Sequence, residues 1–230
     1  MNELELTGRA RTHIEQLEDP RVALHRDVVE PFLALRAAAA REGMEIAPFS
    51  AFRDFSTQVE IWNQKFRGER PLYDRDGSLR PHAALDSREL VEAILLWSAV
   101  PGASRHHWGT EVDVYDKAAL PEGSRVHLLP SEYAPSGIFG RLSGWLDENL
   151  QRFGFYRPYD RDRGGVAPEP WHLSYAAVST AAQQQLSVEI IADALRGSEL
   201  LCKHLVLERL PDFYVRFVAN VSEPPAGLAA

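Results

Sequence analysis

Residues 104–116 read SRHHWGTEVDVYD, and the second half of this stretch alternates between polar and apolar side chains as a β-strand does. In such a strand Val112 and Val114 share one face, which we expect to be the core. Glu111 and Asp113 then share the opposite face, just after a glycine-containing turn that carries two histidines. Because imidazole nitrogen and carboxylate oxygen are ligands that suit Zn²⁺, the stretch predicts a metal site at one end of a small sheet.

A second stretch, PEPWH at residues 168–172, brings another carboxylate and another imidazole together. Glu169 precedes a proline and is therefore biased toward extended or polyproline geometry, which has three residues per turn. Glu169 and His172 lie three positions apart, so we expect their side chains to point into the same pocket. A zinc hydrolase needs such a pair, one residue as a metal ligand and the other as a base.

The third stretch is SAFR at residues 50–53, with Gln58 a few residues further on. Arg53 lies where a short apolar strand predicted over residues 45–52 gives way to a helix predicted over residues 54–66. The planar guanidinium of arginine suits bidentate binding of a carboxylate. Arg53 is therefore a candidate for substrate binding.

Each of these stretches also has an ordinary structural interpretation when it is taken alone. A single histidine on a strand is usually hydrogen-bonded within the fold, and Asp113 could cap a turn. Arg53 could form a surface ion pair of little energetic value. What favours a joint site is that all three stretches occur together, each beside a glycine or proline break.

The predicted helices and strands follow one another without a regular strand–helix–strand rhythm. This order favours an α+β fold, with a small, mainly antiparallel sheet and helices packed on it. Pro31 is expected to kink or split the first long helix, and Ser87 is expected to cap the helix that begins there. Further helices are predicted over 21–43, 87–100, 140–152 and, in two or three pieces, 179–219, with short strands near 154–157 and 171–175 and long loops over 67–86 and 117–139.

The composition limits the class of protein. The chain has 230 residues, enough for one domain or two, and its 45% hydrophobic and 25% charged residues indicate a folded globular protein. A net charge of −8 argues against a general nucleic-acid binder, because affinity for phosphates comes largely from Lys and Arg. Cys202 is the single cysteine, which excludes an intrachain disulfide and a thiolate metal cluster.

The cellular location is predicted from the first residues and from the apolar runs. Residues 1–20 show no basic start followed by an apolar segment, so no export signal is expected. No run approaches the ~18 apolar residues that a membrane helix needs. A cytoplasmic protein without a membrane segment is therefore expected, with action in the periplasm as the alternative.

The three stretches resemble the zinc D-alanyl-D-alanine carboxypeptidase family, typified by the vancomycin-resistance D,D-carboxypeptidases and including L,D-carboxypeptidases that trim bacterial cell-wall peptides. The family pattern S-x-H-x-x-G-x-A-x-D is matched by SRHHWGTEVD, E-P-W-H by residues 169–172, and S-G-Y-R-S-x-x-x-Q by SAFRDFSTQ. The resemblance covers roughly residues 45–176, in the family's order. The departures from the pattern are Ala51 and Phe52 for Gly-Tyr, Asp54 for Ser, and Glu111 for a small residue.

The resemblance implies a role for each residue that matches the pattern. The implied zinc ligands are His106, Asp113 and His172, and the implied general base is Glu169. The residues implied to contact or support the substrate site are Arg53, Gln58 and Ser104.

Two further residues beside the proposed ligands carry expectations of their own. Glu111 shares the face of Asp113 in the predicted strand, so we expect it to add negative charge near the metal and to narrow the choice of substrate. His107 is expected to lie behind the site or at the surface.

The function implied by the resemblance is that of a zinc metallo-carboxypeptidase. Its partner would be a peptidoglycan stem peptide with a free C-terminal carboxylate, from which it removes one residue, D-alanine. D,D- and L,D-carboxypeptidase activity both stay open, as do an endopeptidase of the same fold and a zinc-stabilised peptide-binding domain without catalysis. Residues 1–176 are expected to form the zinc carboxypeptidase domain, and residues 177–230 a C-terminal helical extension packed on it.

Overall fold

The computed structural model describes residues 1–228 of the chain. Its strands are β1 (Ile14–Glu18), β2 (Arg21–His25), β3 (Ile46–Ser50), β4 (Leu72–Tyr73), β5 (Leu79–Arg80), β6 (Glu111–Asp116), β7 (Phe155–Tyr156) and β8 (His172–Tyr175). Its α-helices are α1 (Glu3–Leu6), α2 (Val29–Arg41), α3 (Phe55–Phe66), α4 (Ser87–Leu95), α5 (Pro130–Tyr133), α6 (Gly140–Asn149), α7 (Ala176–Gln185), α8 (Val188–Arg196), α9 (Lys203–Glu208) and α10 (Leu210–Phe213).

The central sheet has four antiparallel strands in the order β3-β6-β8-β7. Asp113 on β6 stands opposite His172 on β8 and opposite Ser50 on β3, where a register shift follows Pro48. The predicted α+β fold, with a small antiparallel sheet and helices packed on it, is confirmed. The pairing thus brings residues of all three sequence stretches to the same place in the sheet.

Helices cover one face of this sheet, and the side chains on that face are apolar and buried. Val112, Val114 and Leu173 are fully buried there, in contact with a cluster that includes Phe32 of α2 and Leu146 of α6. Each such side chain contributes roughly 1.5–3 kcal/mol of hydrophobic stabilisation. The predicted inward orientation of Val112 and Val114 is confirmed, and Asp113 therefore points to the other face.

A second core joins the C-terminal helices to α3 and α4. Trp62 of α3 and Ile94 of α4 are fully buried in it, together with Leu195 of α8 and Phe213 of α10. The indole nitrogen of Trp62 also donates to the carbonyl oxygen of Leu201 at 3.2 Å. The predicted C-terminal helices are present, but Ala229 and Ala230 at the end of the predicted extension lie outside the described residues, and the division at residue 176 stays a prediction.

The helix predicted over 21–43 is wrong in its first part. Arg21–His25 is strand β2, which pairs with β1 in an N-terminal hairpin, and a 3-10 turn (Arg26–Val28) leads into α2. The hairpin buries Leu24 completely, and this packing overrides the helical spacing of the apolar residues. Pro31 produces no break, because it lies in the first turn of α2, where its missing N–H has no intrahelical partner to lose.

Two smaller expectations on local structure are also corrected. The loop predicted over residues 67–86 contains the short hairpin β4–β5. The helix that follows is capped by Asp86 rather than Ser87, because the Asp86 carboxylate accepts hydrogen bonds from the backbone N–H groups of Arg88 and Glu89.

Among residues 1–228, no helix combines the length and the apolar character needed to cross a membrane.

Candidate active site

Three side chains that could hold a metal ion meet where β6 pairs with β8. Asp113 and His172 face each other across the two strands, and His106 comes from the 3-10 turn Arg105–Trp108 that precedes β6. One ligand atom from each residue lies within 4.8 Å of the others, and all three residues are buried. The structure thus brings together the three residues that the family resemblance implied as zinc ligands.

Hydrogen bonds behind the two imidazoles fix which nitrogen of each faces the centre. His106 Nδ1 lies 2.7 Å from the carbonyl oxygen of Ala51, to which it donates, so His106 Nε2 faces Asp113 Oδ2 at 3.4 Å. His172 Nε2 donates to Glu111 Oε2 at 2.8 Å, so His172 Nδ1 faces Asp113 Oδ1 at 3.0 Å. Each histidine therefore presents one unprotonated nitrogen when it is neutral, as a metal ligand must.

Two atoms at this centre are buried and have no hydrogen-bond partner within the described part of the chain, namely Asp113 Oδ1 and His172 Nδ1. A buried polar atom without a partner costs free energy, and a cation between these atoms would satisfy both. Two imidazole nitrogens and one carboxylate oxygen form a donor set that suits Zn²⁺. The residues present therefore fit a zinc ion.

Glu111 lies behind His172 rather than in the cavity. Its carboxylate accepts from Ser174 Oγ at 2.8 Å in addition to His172, and Arg105 Nη2 lies 3.1 Å away. Burial opposes the charged form of Glu111, but Arg105 and His172 outweigh it and lower the pKa of the carboxyl to about 2. The expectation that Glu111 narrows the choice of substrate is wrong, because the side chain is fully buried and instead orients His172.

Glu169 lies beside the three ligand residues. Its backbone N–H donates to the carbonyl oxygen of Tyr159 at 2.9 Å, which holds the Pro168–Pro170 segment in place. Its Oε2 lies 3.4 Å from His172 Nδ1, so the predicted common direction of the two side chains is present. Burial raises the pKa of Glu169 to about 7. A carboxyl group with such a pKa can both accept and return a proton near neutral pH.

A cavity of about 470 Å³ opens in front of these residues. Arg53 and Ser104 line it, together with the three ligand residues and Glu169. Gln58 does not line it, which corrects the prediction that Gln58 lies in the substrate pocket. Gln58 is fully buried behind Arg53, accepts from Arg53 Nη1 at 2.7 Å and donates to the carbonyl oxygen of Ala99 at 2.8 Å.

His107 is fully buried, so the surface alternative for this residue is wrong. Its Nδ1 lies 2.7 Å from the carbonyl oxygen of Arg53, to which it donates, and its Nε2 accepts from the backbone N–H of Gly102. Burial lowers the pKa of His107 to about 3, so the ring stays neutral. His107 connects the turn that carries His106 to the backbone of Arg53.

Gly109, which ends the same turn, is required by the backbone and by close packing. Its φ is +67°, in the left-handed region. A Cβ atom at this position would lie 2.3 Å from Ile14 Cδ1 and 2.7 Å from the backbone nitrogen of His25. The N-terminal hairpin β1–β2 thus packs directly against the turn that carries His106.

The sequence reasoning missed several residues that line the cavity. Trp97 stacks on Trp171 with ring centroids 6.1 Å apart, and Lys65 of α3 donates to Ser98 Oγ at 2.6 Å. Lys65 could have been found from its spacing, because it lies seven residues after Gln58 and thus on the same face of α3. Trp97 comes from the segment after α4, and nothing in its local sequence indicates the contact.

Comparison with known proteins identifies a matching family and several relatives of this chain. The sequence model of the VanY family, described as D-alanyl-D-alanine carboxypeptidase, matches residues 21–178. An uncharacterized protein of Haemophilus influenzae is 39% identical over 121 residues, which are 52% of this chain and 92% of that protein. A D-alanyl-D-alanine carboxypeptidase of Enterococcus faecalis is 30% identical over 157 residues, 66% of this chain and 48% of its own length. The match thus spans about half of the enterococcal protein.

Two solved structures share the fold. A variant of the D,D-pentapeptidase VanY from a VanB-type resistance cassette, in complex with Zn(II), is 27% identical with a TM-score of 0.52, covering 77% of this chain and 88% of its own. VanYB in complex with D-alanine-D-alanine is 25% identical with the same TM-score of 0.52, covering 81% of this chain and 89% of its own. The family model covers more than half of the chain, and it includes all the ligand residues. The chain belongs to the VanY D-alanyl-D-alanine carboxypeptidase family.

Proposed function

We propose that this protein is a zinc carboxypeptidase that removes a C-terminal residue, D-alanine, from peptidoglycan stem peptides. The observation that carries the proposal is the convergence of His106, Asp113 and His172 on one point, with Glu169 beside them and Arg53 in the same cavity. A purely structural metal site needs neither a neighbouring base nor an unpaired arginine. This difference favours an enzyme over a peptide-binding domain that has lost catalysis.

His106, Asp113 and His172 would hold the zinc ion. Three protein ligands are the number typical of catalytic zinc sites, which keep a further position open. When bound, Zn²⁺ supplies Lewis acidity, which lowers the pKa of a water molecule toward ~7 and polarises the scissile carbonyl.

Glu169 is the proposed general base. Its carboxylate faces the same cavity as the ligand residues and can accept a proton from the attacking water. The same carboxyl group can then deliver that proton to the leaving amine. Burial of Glu169 favours the protonated form that this exchange passes through, because burial raises the pKa of the carboxyl above its ordinary value.

Arg53 is the proposed binding group for the terminal carboxylate of the substrate. Its guanidinium donates to Gln58 and to Ser50 Oγ, at 2.7 and 3.0 Å, and these neutral partners hold it without neutralising its charge. A carboxylate bound there fixes the distance between the chain end and the scissile bond. This arrangement favours a carboxypeptidase over an endopeptidase.

The relatives support the choice of metal and substrate. One VanY structure contains Zn(II), and the VanYB structure contains D-alanine-D-alanine. The D,D and L,D alternatives differ in the residue before the scissile bond. A peptide ending in D-Ala-D-Ala and one ending in an L-residue followed by D-Ala therefore separate them.

The proposal is tested with the purified protein by metal analysis and peptide cleavage. We expect about one Zn²⁺ per chain and the release of D-alanine, detected by mass spectrometry, from free-acid peptides. The same peptides with an amidated C-terminus are expected to be poor substrates, because the amide carries no charge for Arg53. Equal cleavage of the acid and the amide would indicate an endopeptidase, and zinc binding without any cleavage would indicate a binding domain.

Arg53→Ala sharpens this test. It is expected to keep its zinc and to lose roughly 2–4 kcal/mol of transition-state binding on free-acid peptides, measured as kcat/KM. The amidated peptides should lose far less. Arg88→Ala, on the exposed surface of α4, is the matched control and should change neither. An Arg53→Ala protein with unchanged kcat/KM on free acids would contradict the role of Arg53.

A further inference from the structure

The cavity contains more positive charge than the terminal carboxylate of a peptide can pair with. Arg53, Lys65 and Arg70 all line it, the first two half-buried and the third exposed at the rim. Lys65 Nζ donates to the neutral oxygen Ser98 Oγ, and Arg53 likewise bonds to neutral oxygens. Within the described part of the chain, no carboxylate oxygen lies within 4.0 Å of the charged nitrogens of either side chain.

Arg53 and Lys65 are neighbours in the cavity. Gln58 accepts a hydrogen bond from Arg53 and donates to the carbonyl oxygen of Ala99, while Lys65 donates to Ser98, the residue just before Ala99. Both positive groups are thus anchored on the same short segment. Burial, and then the positive charge of Arg53, lower the pKa of Lys65 to about 8. Two adjacent, partly desolvated cations repel each other, and an anion bound between or beside them would relieve the repulsion.

The carboxylate of Glu169 attracts both cations but lies beyond ion-pairing distance of each. Glu169 lines the same cavity, but its Oε2 lies against His172 Nδ1 at 3.4 Å. The terminal carboxylate of a substrate pairs with the guanidinium of Arg53 in the proposed function. Lys65, which lines the cavity, then has two N–H donors left, because one of its three is bonded to Ser98. A cavity of about 470 Å³ has room for more than one alanine residue.

We propose that Lys65, next to Arg53, forms a second anion subsite that selects peptides with a carboxylate on a side chain flanking the scissile bond. This inference rests on the proposed carboxypeptidase function, because it takes Arg53 as the site of the terminal carboxylate. The side chain in question belongs either to the terminal residue or to the residue before it. An ammonium–carboxylate hydrogen bond in a partly desolvated cavity is among the stronger polar contacts.

Two matched pairs of free-acid peptides test the proposal. In one pair the residue before the scissile bond is L-Glu or L-Gln, with D-Ala as the terminal residue. In the other pair the terminal residue is D-Glu or D-Gln. We expect one pair to show a preference for the acid on the order of 10- to 100-fold in kcat/KM, and the pair that shows it identifies the side chain. A ratio near one in both pairs overturns the proposal with the unmodified protein alone.

Variants of Lys65 then assign the preference. Lys65→Met is expected to lose the acid preference, so that the ratio of kcat/KM between the acid and the neutral peptide of the selective pair falls toward one. Lys117→Met is the matched control, because Lys117 is an exposed lysine that pairs with Glu45. Lys65→Arg keeps the charge and should keep most of the preference. Its result shows whether the loss in Lys65→Met comes from the missing charge or from poor folding. The subsite is contradicted if Lys65→Met keeps the preference for the Glu peptide. A fall in kcat/KM by the same factor on the Glu and the Gln peptide is such a result.

A binding measurement separates failure of the subsite from failure of the proposed function. The affinities of the same four peptides are measured by calorimetry with Glu169→Gln protein, and with the double variant that also carries Lys65→Met. A Lys65-dependent preference in binding, without cleavage of any peptide by the unmodified protein, would support the subsite and refute the carboxypeptidase. Cleavage without any acid preference would support the carboxypeptidase and refute the subsite.

Discussion

The two walls of the cavity are built in different ways. The ligand wall, made of His106, Asp113 and His172, lies in the central sheet and the turn before it. The cationic wall is made of Arg53, which lies just before the N-cap of α3, and Lys65, which lies in the last turn of α3. On the ligand wall each imidazole has a hydrogen-bond partner behind it that the fold provides. On the cationic wall both charges are held by neutral oxygens, and among the described residues neither has a carboxylate within ion-pairing distance.

This difference indicates what each wall is prepared for. The ligand wall has its geometry fixed before anything binds, since the strand register and the buried hydrogen bonds set the position of each donor atom. The cationic wall has its positions fixed but its charges unpaired, so its binding energy is gained only when an anionic partner arrives. Changes on the ligand wall should therefore abolish activity. Changes on the cationic wall should lower activity to an extent that depends on the charge of the substrate.

The largest effect is expected from removing a ligand. His172→Ala or Asp113→Ala leaves two of three donors, so the purified protein should carry far less than one zinc per chain and cleave no peptide. Zinc is measured by atomic spectroscopy after gel filtration. His127→Ala is a matched control, because His127 lines the cavity but is exposed and lies outside the ligand set. Full zinc content and full activity in His172→Ala would show that the ligand wall is assigned wrongly.

A smaller but still large effect is expected from Glu169→Gln. The amide keeps the shape of the side chain but cannot accept the proton, so turnover should fall on the order of 10²-fold or more. Zinc content should be unchanged, because Glu169 is not among the three ligand residues. The variant therefore separates zinc binding, measured as zinc content, from catalysis, measured as turnover. Near-normal turnover in this variant would exclude Glu169 as the base.

The smallest of these effects is expected from Glu111→Gln, which tests whether the partner behind His172 matters. The amide can still accept from His172 Nε2 but no longer carries the charge that faces Arg105, so the zinc affinity should fall roughly 10- to 100-fold. The affinity is measured by competition with a chelator, and thermal melting reports the loss of the buried ion pair. Glu45→Gln, at an exposed glutamate, is the control. An unchanged zinc affinity would mean that the ligand wall does not depend on Glu111.

The sequence predicted what local patterns can specify. Alternation placed Val112 and Val114 in the core and Asp113 on the opposite face, and the three-residue spacing of Glu169 and His172 directed both side chains to one place. These features depend on neighbouring residues in the chain. Their assembly into one centre depended on the recognised family pattern, because nothing local specifies that β6 pairs with β8.

What the sequence did not predict depends on contacts between distant segments. Glu111 was placed on the correct face, but its role depends on Arg105 and His172, which only the folded sheet brings to it. Residues 21–25 were predicted to be helical because their apolar spacing suits a helix, yet pairing with β1 makes them a strand. Lys65 shares a helix face with Gln58, but it was overlooked because a lysine at the end of an amphipathic helix is ordinarily solvated. Its contact with Ser98 and its place in the cavity wall depend on the folded chain.

The pairing of Asp113 with His172 across β6 and β8 also bears on how the chain folds and is synthesised. The two residues enclose a segment of roughly 60 residues, so forming their contact requires closure of a long loop, whose entropic cost grows slowly with its length. On the ribosome His106 and Asp113 emerge before His172, so the nascent chain cannot assemble the centre until His172 has emerged. A cation bound by both Asp113 and His172 would cross-link the two ends of this loop. It would stabilise the folded chain because it binds the native state alone. Insertions within the loop, away from the cavity, should be tolerated better than any shift of strand register. The register decides whether Asp113 and His172 stand opposite each other.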